Sequence, residues 1–112
     1  MKLLDLAIKT GRKMEEFAQN IYTVLSFLDK GKLITYGQLA SQAGYPAHSR
    51  HVGKILARLP KDTRLPWFRV VNSQGKISLQ GDALIRQKTL LEAEGIEVTT
   101  EGKIVKFKQY LG

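Results

Sequence analysis

The hydrophobic residues of the first third of the chain recur at helical spacing. From Met14 to Lys30 apolar side chains return every three or four positions, which predicts an amphipathic helix. Acidic residues in its first turn and Gly31 after its end suit the helix macrodipole and a glycine stop. The pattern does not extend to residues 1–13. We therefore expect an accessory or frayed segment at 1–13, followed by a single domain at 14–112.

Two short helices are predicted in the next stretch. Thr35 can cap the first, with Gln38 at the reciprocal position of a capping box. After a break at Gly44-Tyr45-Pro46, Ser49 can cap the second, which Pro60 stops. Two short helices joined by a glycine-containing turn are typical of a helix-turn-helix.

The C-terminal part predicts one more helix between short strands. A turn signal before Lys76 leads into a predicted strand, Lys76–Leu79. A helix fits Ala83–Glu94, with Gly95 as its stop. The apolar runs 96–98 and 104–107 predict a terminal hairpin. The expected fold is mainly α with a small β component, a winged-helix-like helix-turn-helix domain.

The charge of the chain indicates what kind of partner it binds. The net charge is +8 and the isoelectric point is near 9.9, which favours a polyanion such as nucleic acid, although charge that merely aids solubility is the alternative. Between His48 and Arg69 six basic residues face one acidic residue. Arg50, Lys54 and Arg58 recur every four residues and should share one helix face, which is also what a solvated surface stripe would show.

Composition excludes several kinds of chemistry. The chain contains no cysteine, so thiol nucleophiles, disulfides and thiolate metal sites are impossible. His48 and His51 have helical spacing but no nearby third ligand, so we expect no metal and no cofactor. No apolar stretch is long enough for a membrane span and no signal cleavage site follows the first residues, so a cytoplasmic location is expected.

Four segments in fixed order carry a family resemblance: ITYGQLASQAG, SRHVGKIL, PWFRVVNSQGKIS and RQKTLLEAEG. Together they resemble the DNA-binding domain of the O6-alkylguanine-DNA alkyltransferase family, over roughly Phe17 to Val98. In that family a proline, a cysteine and a histidine precede the arginine and valine, and the cysteine accepts the alkyl group. Here Trp67 and Phe68 stand at the last two of these positions. Trp67 is the mark of the alkyltransferase-like branch, whose members bind O6-alkylguanine without removing the adduct.

The resemblance implies roles for individual residues. Tyr36 matches the tyrosine that presses on the target phosphate, and Arg50 matches the arginine finger that replaces the flipped base in the stack. The implied DNA-binding set is Tyr36, Arg50, Gly53, Lys54 and Arg58. The implied lesion pocket is Tyr36, Pro66, Trp67, Arg69, Val70, Ser78 and Gln80. Leu59 replaces an asparagine of the proton relay, which leaves Glu94 a structural role such as an ion pair. Considered alone, a single tryptophan favours a core position for Trp67, and the resemblance reverses that interpretation.

The implied function is recognition of O6-alkylguanine in duplex DNA through the minor groove. A monomer would flip the damaged nucleotide into a pocket and flag it for nucleotide excision repair, with the protein associated with the nucleoid in a bacterium. No enzyme activity is expected, because Trp67 replaces the alkyl-accepting cysteine. Two alternatives stay open: a helix-turn-helix regulator that reads undamaged DNA, and alkyl removal with Tyr36 or Glu94 as acceptor.

Overall fold

The computed structural model describes residues 3–111 and, from residue 13 onward, their side chains. In this part of the chain four α-helices and two short strands are joined by turns. The elements are α1 (Leu3–Ser26), β1 (Ile34–Thr35), α2 (Tyr36–Gln42), α3 (Ser49–Ala57), β2 (Val70–Val71) and α4 (Gly81–Glu92). Single 3-10 turns occur at Pro46–His48, Trp67–Arg69 and Phe107–Tyr110. The predicted fold class, mainly α with a small β component, is confirmed.

The first helix differs from the prediction at both ends. It begins at Leu3 instead of Met14, because residues 3–13 contain no proline and one glycine costs a helix only about 1 kcal/mol. It ends at Ser26 instead of Lys30, and the next N–H groups close a tighter turn, with Leu28 N donating to Leu25 O at 3.1 Å. The predicted accessory segment 1–13 lies partly outside the described residues, and its status stays a prediction.

The helix-turn-helix is confirmed as α2 and α3. The predicted capping box is present: Thr35 Oγ1 accepts from Gln38 N at 3.0 Å, and Thr35 N donates to Gln38 Oε1 at 3.0 Å. The predicted cap at Ser49 was wrong. The 3-10 turn Pro46–His48 runs directly into α3, so Ser49 already has helical backbone angles and cannot act as the extended cap.

The two strands divide the hydrophobic core into two clusters. They pair in parallel, Ile34 with Val70 and Thr35 with Val71. Because successive strand residues point to opposite faces, Ile34 and Val70 pack with the helices, whereas Val71 packs with the C-terminal part. The helical cluster is centred on Phe17, Ile21, Leu25, Leu39, Val52 and Ile55. The C-terminal cluster contains Leu33, Ile77, Leu91, Ile96, Val98 and Ile104.

The C-terminal prediction was correct in its helix and partly wrong in its strands. The helix α4 covers Gly81–Glu92, two residues earlier than expected at each end, and Gly95 follows with a φ of +82°. The predicted strand Lys76–Leu79 does not form; Lys76 makes one isolated bridge to Lys103. The expected hairpin is reduced to one antiparallel bridge, Val98 with Ile104, before the chain enters a 3-10 turn. No helix in the described range is long and apolar enough to cross a membrane.

Candidate nucleic-acid interface

The third helix presents the basic face that its sequence predicts. Arg50, Lys54 and Arg58 are all exposed, while Val52 and Ile55 on the opposite side are buried in the helical cluster. We call Arg50, Lys54 and Arg58 the basic face of α3. Its charges are solvated and point away from the core, so the face is available to a polyanion.

A cavity of about 730 Å³ opens beside this basic face, and we call it the Trp67 cavity. It lies between α3, the loop that follows α3, the turn at Trp67 and the first half of α4. The residues that line it are Tyr36, Ser49, Arg50, Gly53, Leu56, Ala57, Leu59, Pro60, Lys61, Thr63, Trp67, Val70, Asn72, Ser78, Leu79, Ala83, Arg86 and Gln87. Its volume is typical of pockets that hold small molecules, roughly 300–1,000 Å³.

Four of the seven predicted pocket residues meet in this cavity: Tyr36, Trp67, Val70 and Ser78. The hydroxyl groups of Tyr36 and Ser78 are hydrogen-bonded at 2.9 Å, which joins the start of α2 to the segment before α4. Trp67 is half-buried, and the Arg86 guanidinium lies 5.6 Å from its ring centroid. A flat aromatic surface inside a cavity with a basic rim is suited to stacking a nucleobase.

Three predicted pocket residues do not line the Trp67 cavity, and their place in the lesion pocket stays a prediction. Pro66 and Arg69 line a separate cavity of about 460 Å³ with Leu28, because the 3-10 turn at Trp67–Arg69 sends neighbouring side chains in different directions. Phe68, which stands where the family has a histidine, also lines this second cavity. Gln80 is exposed at the residue before α4 and is not among those that line the Trp67 cavity.

Arg69 instead forms the main buried ion pair with Glu94. Its Nη2 lies 2.6 Å from Glu94 Oε2, its Nε donates to Oε1 at 2.9 Å, and its Nη1 donates to Leu28 O at 2.7 Å. The two side chains are only 12% and 9% exposed. The structural role expected for Glu94 is confirmed by this ion pair, and Glu94 does not line the Trp67 cavity.

Charged neighbours set the ionisation of Glu94. Burial by itself raises the pKa of this carboxyl, but hydrogen bonds from Arg69 and from the Gly31 backbone N–H, together with the charges of Arg69 and Lys30, outweigh it. The net result is a pKa below the ordinary 4.5. The carboxylate therefore stays charged and holds the ends of α1 and α4 together.

Sequence reasoning missed Gln87 as a residue of the site. It is buried in α4, lines the Trp67 cavity, and its Nε2 donates to the carbonyls of Phe68 at 2.9 Å and Val70 at 3.0 Å. These bonds fix the backbone on either side of Arg69 and so position the turn that carries Trp67. The signal in the sequence was an amide at a core position of a helix, since a buried amide must find partners.

The two histidines pack against aromatic rings near the start of α3. His48 meets Phe17 edge-on at 6.0 Å between ring centroids, and His51 lies 5.4 Å from His48. Among the described side chains no group of three His, Asp or Glu residues could hold a metal ion.

Comparison with known proteins places this geometry in a family. The model of the 6-O-methylguanine DNA methyltransferase DNA-binding domain matches residues 16–96. The chain belongs to this family. The matched range contains every residue that lines the Trp67 cavity.

Members of the family with close sequences carry names that concern DNA bases. A DNA base-flipping protein of Vibrio parahaemolyticus is 58% identical over 91 residues, covering 81% of this chain and 91% of that protein. Alkyltransferase-like protein 1 of Schizosaccharomyces pombe is 39% identical over 88 residues, covering 77% and 82%. The crystal structure of S. pombe Atl1 in complex with damaged DNA containing O6-carboxymethylguanine superposes with a TM-score of 0.78 at 35% identity, covering 88% of this chain and 95% of that chain.

Proposed function

We propose that this protein recognises O6-alkylguanine in duplex DNA, flips the damaged nucleotide into the Trp67 cavity and leaves the alkyl group in place. One observation carries the proposal: a cavity large enough for a purine adjoins an exposed basic helix face, and Arg50 and Trp67 both line it. The names of the relatives, and the damaged DNA bound by S. pombe Atl1, support the same function.

Arg50 acts at the point where the base leaves the duplex. Extruding a base costs a few kcal/mol of stacking and pairing, and less when an alkyl group already weakens the pair. Arg50 lies at the second position of α3, on both the basic face and the cavity rim. Its planar guanidinium can replace the lost stacking, which a lysine ammonium does poorly.

The other residues predicted to contact DNA bind either its phosphate backbone or its minor groove. Lys54 and Arg58 neutralise phosphates along the basic face, while Tyr36 presses on the phosphate of the flipped nucleotide. Gly53 lies in the middle of α3, where a Cβ atom would meet nothing within 4 Å, so the helix can approach a minor groove closely. α3 contains no Asn or Gln, the side chains that read adenine in the major groove, which argues against an ordinary regulator.

Trp67 takes the place of the alkyl-accepting cysteine and provides the surface on which the flipped base stacks. The chain has no cysteine that could accept an alkyl group. Neither of the other two candidate acceptors is an activated nucleophile. The Tyr36 hydroxyl is hydrogen-bonded to Ser78, and the Glu94 carboxylate is paired with Arg69. Recognition without transfer leaves a monomer bound at the lesion in the cytoplasm or nucleoid, where it marks the site for nucleotide excision repair proteins.

Binding to matched duplexes tests the function. Two oligonucleotide duplexes of one sequence, with guanine or O6-methylguanine at one position, are titrated by fluorescence anisotropy at several salt concentrations. We expect tighter binding to the lesion at every salt concentration, because phosphate contacts are common to both duplexes and cancel in the ratio. Equal affinity for the two duplexes would refute lesion recognition and favour a general DNA-binding protein.

A further inference from the structure

The charged side chains that line the Trp67 cavity all carry the same sign. They are Arg50, Lys61 and Arg86, and within the described part of the chain no Asp or Glu lines the cavity. The rest of the wall is mainly apolar or aromatic. Three cations around one cavity favour a negatively charged ligand, and either the DNA phosphates at its rim or an anionic group on the bound base supplies that charge.

Arg86 lines this cavity from an exposed position on α4, where two contacts hold its side chain. Its Nη2 donates to the Lys61 carbonyl at 2.9 Å, and its guanidinium carbon lies 5.6 Å from the Trp67 ring centroid. It is positioned but not neutralised: among the described side chains no carboxylate lies within 4.0 Å of it. The Arg69 guanidinium, by contrast, is paired with the Glu94 carboxylate and donates a hydrogen bond to Leu28 O.

We propose that Arg86 makes the Trp67 cavity selective for O6-alkylguanines whose alkyl group ends in a carboxylate. The inference rests on the proposed function, because it requires the flipped base to enter this cavity. The Arg86 guanidinium covers one face of the Trp67 ring, so the base stacks on the other face, and a chain extended from its O6 atom past the ring edge meets this guanidinium. The N–H groups of Arg86 that face away from Lys61 can then bind both oxygens of a carboxylate, and the apolar wall strengthens that attraction.

Four duplexes of one sequence test the selectivity. One position carries guanine, O6-methylguanine, O6-carboxymethylguanine or the amide analogue of O6-carboxymethylguanine. This carboxamide has nearly the same shape as the carboxylate but no charge. We expect the wild type to bind the carboxylate about tenfold more tightly than the carboxamide, as for a hydrogen bond to a charged group. Arg86→Gln should bring this ratio close to equality, and Arg86→Lys should keep part of it.

Lys88→Gln is the matched control. It removes one positive charge from the same helix, but Lys88 pairs with Glu92 and does not line the Trp67 cavity. The ratio of carboxylate to carboxamide affinity should therefore equal that of the wild type. Circular dichroism and the thermal midpoint verify that each variant is folded, and Arg86→Met, which keeps the apolar stem over Trp67, replaces Arg86→Gln if the latter does not fold.

Two results would overturn the inference: equal wild-type affinity for carboxylate and carboxamide, or an unchanged ratio in Arg86→Gln. Neither result contradicts the proposed function if the wild-type protein still binds O6-methylguanine more tightly than guanine. No preference for any of the three lesions over guanine would overturn the proposed function itself, and the inference with it.

Discussion

Arg50 and Lys54 lie one turn apart on the basic face of α3, but only Arg50 also lines the Trp67 cavity. Arg50→Ala should therefore weaken binding to lesion DNA more than Lys54→Ala does. The first removes a phosphate-neutralising charge and the stacking replacement, whereas the second removes only a charge. Affinities for the O6-methylguanine duplex measure the difference, and equal losses would reduce Arg50 to a phosphate contact.

Trp67 is the only tryptophan of the chain, so its fluorescence reports on the cavity alone. Its emission should change when lesion DNA binds. Trp67→Ala should cost on the order of 1 to 3 kcal/mol of affinity for the lesion and leave binding to undamaged DNA nearly unchanged.

The thermal midpoint of Trp67→Ala separates this role from simple packing. A core tryptophan would cost several kcal/mol of folding stability on truncation and lower both affinities together. A large drop in midpoint with an unchanged ratio of lesion to undamaged affinity would identify Trp67 as a packing residue.

Glu94 contributes to stability instead of binding. Glu94→Gln should lower the free energy of unfolding by roughly 1–3 kcal/mol near neutral pH, since it leaves the Arg69 charge without its partner. Because the folded-state pKa of Glu94 is lowered, its stabilising effect is full above the ordinary 4.5 and is lost as the pH falls through the lowered value. The gap in thermal midpoint between wild type and variant should therefore shrink at acidic pH.

Glu92→Gln is the control for this prediction. Glu92 pairs with Lys88 one turn away on α4, and its side chain is 45% exposed, so its loss should change stability by less than about 1 kcal/mol. If Glu94→Gln were equally mild, or if its effect did not depend on pH, the Arg69–Glu94 pair would not hold the ends of α1 and α4 together.

At the scale of elements, α3 places a glycine where a helix normally disfavours one. A Cβ atom at Gly53 would meet nothing within 4 Å, so Gly53→Ala should stabilise the free protein by about 0.5–1 kcal/mol. If α3 approaches a groove through Gly53, the same substitution should weaken DNA binding. Thermal denaturation and anisotropy together check this, and a variant that is more stable with unchanged affinity would show that Gly53 does not contact DNA.

Local signals predicted the helices better than the strands. The capping box at Thr35 and Gln38 was readable because both partners lie within four residues of each other. β1 and β2 were not predicted, since each has two residues and forms only by pairing across the whole helix-turn-helix. The strand expected at Lys76–Leu79 does not form for a related reason: apart from the Lys76–Lys103 bridge, no ladder of partners lies beside it among residues 3–111.

At the scale of the whole molecule, the fold brings distant segments to one cavity. The family resemblance assigns Tyr36, Trp67, Val70 and Ser78 to the lesion pocket, and all four line the Trp67 cavity although they come from two separate segments of sequence. Arg69, which the resemblance also assigns to the pocket, lines the second cavity, because adjacent residues in a 3-10 turn point in different directions.

Arg86 and Gln87 show what sequence alone left out of the site. Their place in the Trp67 cavity depends on how α4 packs against the turn that carries Trp67. The amide at a core position of α4 indicates that Gln87 needs hydrogen-bond partners, but not which partners.

The central claim is that the whole molecule holds the lesion without repairing it. An excess of protein is incubated with a duplex containing one O6-methylguanine, and both are then analysed by mass spectrometry. Because the chain has no cysteine, the account predicts an unchanged protein mass and fully recovered O6-methylguanine. A protein heavier by one methyl group, or guanine restored in the DNA, would contradict it.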